Sequence, residues 1–292
     1  MKRIDHAKVL KHMKPRIVSN ILFKLLFMTA TIFGLLILGI LLYRVITQGI
    51  GYLDFHFLQN LPSRKPEQAG VKTALIGTIW LMGVVAPVTL LLGVGTAIYL
   101  EEYAKKSRFT RFIQVNISNL AGVPSIVFGL LGLTVFVRAL ALGTSVLAAG
   151  LTMSLLVLPI IIVASQEAIK AVPKELREAS YGMGATKWQT ILHVVLPAAI
   201  PGILTGGILA LSRAIGETAP LVVLGLPLFL AFLPKSVFDM FTVLPMQIYN
   251  WTGRPQEEFQ GVAAAGIIVL LTMLIIMNSI AVFIRNKFQK RY

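Results

Sequence analysis

Four long stretches of this chain carry no side chain that is charged at neutral pH. They run between Lys72 and Glu101, Arg111 and Arg138, Arg138 and Glu167, and Glu258 and Arg285. A shorter apolar run covers Leu25 to Tyr43. A helix needs roughly 20 predominantly apolar residues to cross a bilayer, and all five runs qualify. The pattern predicts an all-α, polytopic membrane protein of about six transmembrane helices, near 21–47, 73–100, 113–137, 143–168, 195–225 and 259–284. Residues 48–72, rich in Gly, Pro and polar groups, read as a first external loop. Residues 226–258, broken by Pro227, Pro234, Pro245 and Pro255, read as a second. The charge-free piece 218–234 is a loop or a re-entrant segment, because a seventh crossing would carry the basic C-terminal residues outside.

Composition agrees. Only 13% of the 292 residues are charged, against about 25% in soluble domains. The formal net charge of +15 would suggest nucleic acid in a soluble protein. Here the charge follows topology instead. With the N-terminus inside, 19 of the 27 Lys and Arg fall on the cytoplasmic side, seven outside, and Arg213 within the membrane. That asymmetry is the positive-inside rule, and it leaves no call for nucleic acid. The layout is a cytoplasmic basic tail (1–20), a first transmembrane helix (21–47), the external loop (48–72), a transmembrane domain (73–285) and a cytoplasmic tail (286–292). The first apolar run is too long for a signal peptide and reads as uncleaved. With no cysteine and four scattered histidines, no metal centre is expected. No G-x-x-x-x-G-K-[ST] exists to cradle ATP phosphates, nor any H-E-x-x-H or G-x-S-x-G. The chain does not read as an enzyme.

Candidate chemistry lies in the polar exceptions. The third span carries "NISNLAGVPSIVFGLLG", where Pro124 removes a backbone donor and Asn116, Asn119 and Ser125 are polar at depth or at its entrance. Either these groups glue helices together, or a broken helix lines a polar path. The fifth span carries "SRAIGETAPL". A charge at the membrane centre costs about 2.5–3.5 kcal/mol on insertion scales, so Arg213 and Glu217 need a reason to be there. Four residues apart on a continuous helix, they would share one face, one turn apart. They then form a static ion pair, or a relay in which a passing oxyanion meets the Arg213 guanidinium while Glu217 sets the local charge. Thr218 can add a hydroxyl. Tyr43, Tyr52, Trp80, Tyr99, Tyr249 and Trp251 fall near span ends and read mainly as an interfacial belt. Arg138 sits where it can snorkel to the outer surface, and Glu167 pairs with Lys170.

The cytoplasmic segment 170–193 predicts an elbow. Pro173 opens a helix, Gly182 and Gly184 break it, and "TKWQ" has the form of a capping box that starts a second. Pro197 and Pro201 then mark the entry to the fifth span. Small residues at the bend suit either an ordinary connector or a surface another protein approaches closely.

Glu178-Ala179-Ser180, Gly184 and Val194-x-Leu196-Pro197 resemble the EAA loop of bacterial ABC-transporter permeases, EAA-x3-G-x9-I-x-LP. Ser180 stands for the second Ala and Val194 for Ile. "GVGTAIYLEEYA" (93–104), "NLAGVPSIVFGL" (119–130), "RAIGETAPL" (213–221) and "LPMQIYNW" (244–251) look like permeases of the phosphate-specific ABC importer, and "GETAP" resembles the A-type subunit. The similarity covers about residues 70–285. It implies a type I importer (MetI-like) permease fold in the bacterial plasma (inner) membrane, with both termini cytoplasmic. It implies a homologous C-type permease, an ATPase dimer that binds ATP-Mg, and an extracytoplasmic phosphate-binding protein as partners, with no cofactor on this chain. Glu178, Ala179, Ser180, Gly184 and Ala185 would then meet the ATPase, and Arg213 and Glu217 are the positions tied to phosphate passage. A sulfate or molybdate permease shares the EAA loop. An ion-coupled secondary transporter would instead show inverted repeats and need no ATPase.

Overall fold

In hydrocarbon every backbone N–H and C=O must be satisfied within the protein, so apolar runs of this length fold as helix. The computed structural model describes residues 6–288 and is helical accordingly; among those residues the extended pairing is one isolated bridge, Ser145 with Met240. Helix α1 spans His6–Gly49 and α2 Phe55–Gln59, the latter capped by Asp54, whose carboxylate accepts from Phe57 N–H at 2.6 Å. Helix α3, Lys72–Ile98, continues into a π-helical turn, Tyr99–Tyr103. Helix α4 (Arg108–Leu120) and α5 (Ser125–Gly132, extended by a π turn to Ala139) follow, then α6 (Val146–Lys170) and α7 (Lys174–Gly182). Helix α8 (Lys187–Thr190) runs through a π turn, Ile191–Val195, into α9 (Leu196–Gly216). The short α10 (Ala219–Val223), α11 (Leu244–Thr252) and α12 (Glu258–Phe288) complete the chain.

Five segments are long and apolar enough to cross a membrane, and a sixth exists if α4 and α5 count together. That third span departs from the expected bounds of 113–137, and it is broken, as one reading of Pro124 anticipated. It begins at Arg108, and its two halves meet at 103°. Pro124 explains the break: its ring collides with the carbonyl four residues back, at Leu120, where α4 stops. The first helix also starts earlier than expected, so the basic segment is helical from His6. Residues 1–5 and 289–292, the outer parts of the two tails, lie outside the described residues.

The fifth span departs from 195–225 at both ends. Pro197 and Pro201 do not mark its entry, since the helix already runs unbroken from Lys187. The π turn over Ile191–Val195 absorbs the hydrogen bond that Pro197 cannot make. The helix then stops at Gly216.

Helices α3, α6 and α9 form the core, packed through small residues that let backbones approach. A methyl placed on Gly93 would lie 2.6 Å from Ile161 Cγ2, one on Gly150 2.6 Å from Val84 Cγ1, and one on Gly202 2.7 Å from Ala168 Cβ. Leu81, Val85, Met153, Val157, Ala210 and Ile215 fill the centre. Residues 50–71, α11 and the start of α12 make a cap at one end of the bundle, expected to be the external one, around Phe57, Trp251 and Phe259. Trp251 is therefore not part of an interfacial belt. It is fully buried, its ring 5.8 Å from that of Phe57, because the cap folds over it. Helix α1 stands apart, touching α12 where Gly49 meets Ala264 and Ala265, with its most apolar window unburied.

Candidate functional site

The packing contacts fix the depth of Arg213. Gly202 lies against Ala168 and Gly206 against Ala164, so α9 and α6 run antiparallel in a known register. Counting along it puts Arg213 level with Val157, one residue from the middle of α6. Helix α12 gives an independent measure. Ser212 Oγ donates to Asn278 Oδ1 at 2.6 Å, and Arg285 Nη1 donates to Thr205 Oγ1 at 3.4 Å. Those pairs put Arg213 level with Met277, four residues and about 6 Å from the middle of α12. Both neighbours place residue 213 near mid-bundle.

Helix α9 ends there too. Pro220 has no N–H, and its ring would strike the carbonyl of Gly216, so the helix stops at Gly216. Glu217 is then extended (φ −78°, ψ 125°), and Thr218 leads into α10 by accepting, through its carbonyl, from Leu221 and Val222 N–H. This corrects the reading of Arg213 and Glu217 as one-turn neighbours on a continuous helix. They are not paired within 4 Å among the described residues. Arg213 is exposed in the last turn of α9, and Glu217 and Thr218 are half-buried beyond it. The four-residue spacing of Gly216 and Pro220 was the available signal for the break.

A second helix end lies at the same level. Gly132 of α5 packs on Thr152 of α6, so Ser125, the first residue of α5, is level with Pro159. Ser125 and Arg213 thus sit two residues apart in height on helices that both flank α6. Helix α10 comes against α5 directly: a methyl on Gly129 would be 2.8 Å from Pro220 Cα. Asn119 is separated from this level by the bend and lies exposed in the last turn of α4.

At the end of the bundle opposite the cap the elbow forms as expected. The capping box is complete, with Gln189 N–H donating to Thr186 Oγ1 and Thr186 N–H donating to Gln189 Oε1 at 2.8 Å. Gly184 has φ +83°, a conformation in which a side chain is strained. Glu178, Ala179 and Gly184 are exposed and Ala185 half-buried. Ser180 differs from the other residues of the motif. It is buried, 2.9 Å from Thr190 Oγ1, and ties α7 to α8 rather than facing outward. Sequence reasoning missed Met183 and Trp188, which are 84% and 57% exposed at the elbow surface. It also missed Arg177, which donates to the carbonyls of Ile169 (2.9 Å) and Val172 (2.7 Å) at the end of α6 and to Glu102 (3.0 Å) at the end of α3. Glu101, beside it, accepts from Gln166 of α6 at 2.7 Å.

The arrangement has counterparts. Residues 89–290 match the family model described as binding-protein-dependent transport system inner membrane component. The chain is 36% identical over 270 residues to "Phosphate transport system permease protein PstA 1" of Mycobacterium tuberculosis (strain H37Rv), covering 88% of this chain and 86% of the relative. It is 30% identical over 274 residues to "Probable ABC transporter permease protein YqgI" of Bacillus subtilis (strain 168), covering 90% and 93%. Among solved structures, a chain of the MetNI methionine ABC transporter in its inward-facing conformation superposes with a TM-score of 0.61 at 18% identity, over 73% of this chain and 94% of that one. The fold is that of MetI-type permeases.

Proposed function

This chain belongs to the family of inner membrane components of binding-protein-dependent transport systems, and from that premise we propose that it is the permease subunit of an ATP-driven importer of inorganic phosphate. The observation that carries the reading is the position of Arg213: an exposed arginine whose backbone lies at mid-depth, at the end of a helix, with no carboxylate paired to it among the described residues. Hydrocarbon would make such a charge costly, whereas a water-filled path that admits an oxyanion stabilises it. The planar guanidinium presents two parallel N–H groups to a tetrahedral anion. Glu217, held off the helix, keeps the local charge near neutral between passages without competing for the fork. The hydroxyls of Ser125 and Thr218 lie near the same level, and Asn119 stands on the far side of the bend. Relatives named as phosphate transport permeases support phosphate over sulfate or molybdate.

The elbow supplies the drive. An ATPase dimer carrying ATP-Mg docks on its exposed residues, Glu178, Ala179, Gly184 and Ala185, with Met183 and Trp188 offering apolar area. Helices α8 and α9 form one rod from Lys187 to Gly216, about 45 Å long, with the elbow at one end and Arg213 near the other. Closure of the ATPase pair therefore shifts the guanidinium without any intermediate element. A homologous C-type permease completes the path, and an extracytoplasmic binding protein delivers phosphate from outside. Both termini are cytoplasmic. The chain itself makes and breaks no covalent bond.

Uptake of labelled phosphate by vesicles carrying the assembled importer tests this. Arg213→Gln lowers the rate about tenfold or more, the effect of removing a charge-assisted bidentate contact, and Glu217→Gln also lowers it. Excess sulfate or molybdate leaves the wild-type rate unchanged. Normal rates in both variants would sink the path assignment, and full competition by sulfate would move the substrate.

A further inference from the structure

A cavity of about 1150 Å³ opens at the inner end of the bundle, between the ends of α3 and α6, the start of α4 and one side of α7. It is distant from Arg213, which does not line it. Two of its carboxylates are already engaged: Glu101 by Gln166 and Lys170, Glu102 by Arg177. Five lining cations, Lys105, Lys106, Arg108, Arg111 and Lys174, make no ion pair among the described residues. Against them stands only Glu178. The N-terminus of the 13-residue α4, capped by Ser107, faces the same space and adds partial positive charge. Cations gathered in a concave site repel one another and raise the local concentration of anions. Two arginines at Arg108 and Arg111, one turn apart on α4, offer the forked donors that suit phosphate oxygens.

We infer that this cavity is a second anion site, on the cytoplasmic side, which takes a phosphate group. The group is carried either by the free anion or by the head group of an acidic phospholipid. Phe109 and Phe112, 71% and 64% exposed beside those arginines, are placed to meet acyl chain in the second case. The free anion needs only the cations. Since α7 of the elbow forms one wall, occupancy bridges α4 to the element on which the ATPase docks.

The test uses the detergent-solubilised permease–ATPase complex carrying Arg213→Gln, so that the transport path binds phosphate about tenfold or more weakly. One arm measures labelled inorganic phosphate by equilibrium dialysis at low salt. The other measures retained phospholipid by native mass spectrometry. One of the two binds, and replacing Lys105, Arg108, Arg111 and Lys174 together by Gln weakens it about tenfold or more. Lys105→Arg with Lys174→Arg, which keeps the charge, keeps the binding and controls for folding. Phosphate alone assigns the free anion and lipid alone the head group. If neither binds, or if the Gln variant binds as well as its parent, the site does not exist.

Discussion

Arg177 illustrates how much one side chain can hold at the inner end of the bundle. Its guanidinium donates to the carbonyls of Ile169, in the last turn of α6, and Val172, just beyond it, and pairs with Glu102, whose side chain is only 9% exposed. Removing one partner of a buried pair costs roughly 3–5 kcal/mol, and less where water still reaches the arginine, as here. We expect Arg177→Gln to destabilise the complex by about 2 kcal/mol or more, and the double variant with Glu102→Gln to recover part of that. Thermal unfolding of the solubilised complex reads both. Strict additivity would mean that the two groups do not act as a pair. The residue was not legible beforehand because a Lys or Arg in a cytoplasmic loop is what topology alone demands. Its partner lies 75 positions away in sequence. Arg213, by contrast, was legible at once, since a charge inside an apolar run has no topological excuse.

Among the elements, the α6–α9 contact sets where Arg213 sits. A methyl on Gly206 would collide with Ala164 Cβ, whereas one on Gly95, within α3, meets nothing within 4 Å. Gly206→Ala must push α9 off α6 and should cost about 1–3 kcal/mol, with slower phosphate uptake as the guanidinium moves. Gly95→Ala should be neutral or slightly stabilising, because Ala favours helix by up to about 1 kcal/mol over Gly. Unfolding temperature and uptake, measured side by side, check the contrast; equal losses in the two would refute the packing account. Helix existence was readable from the charge-free runs. The break at 121–124 was read from Pro124 as one of two alternatives, whereas that at 217–218 was not, because apolar content hides it and only the proline four residues after Gly216 betrays it.

For the whole molecule, α1 is the separable part. It touches α12 near Ala264 and is otherwise open, while the outer cap and the core close without it. A chain lacking residues 1–48 should therefore keep the remaining bundle. Circular dichroism in detergent would show helix content falling by the share of α1 alone. A larger loss would make α1 integral to the fold. Its apolar surface needs a cover of lipid or of a neighbouring chain, since nothing else in the fold buries it.

From the sequence alone came the membrane, the apolar helices long enough to cross it, the elbow and the anomaly of Arg213 inside an apolar run. All of these follow from local rules: run length, charge placement, capping and the cost of a charge in oil. The parting of Arg213 and Glu217 was also written locally, in Pro220, though it went unread. Tertiary structure alone decided that Ser180 and Trp251 turn inward and that Arg177 reaches across to Glu102. Those outcomes depend on which distant helix arrives alongside, and helical periodicity carries no record of its neighbour.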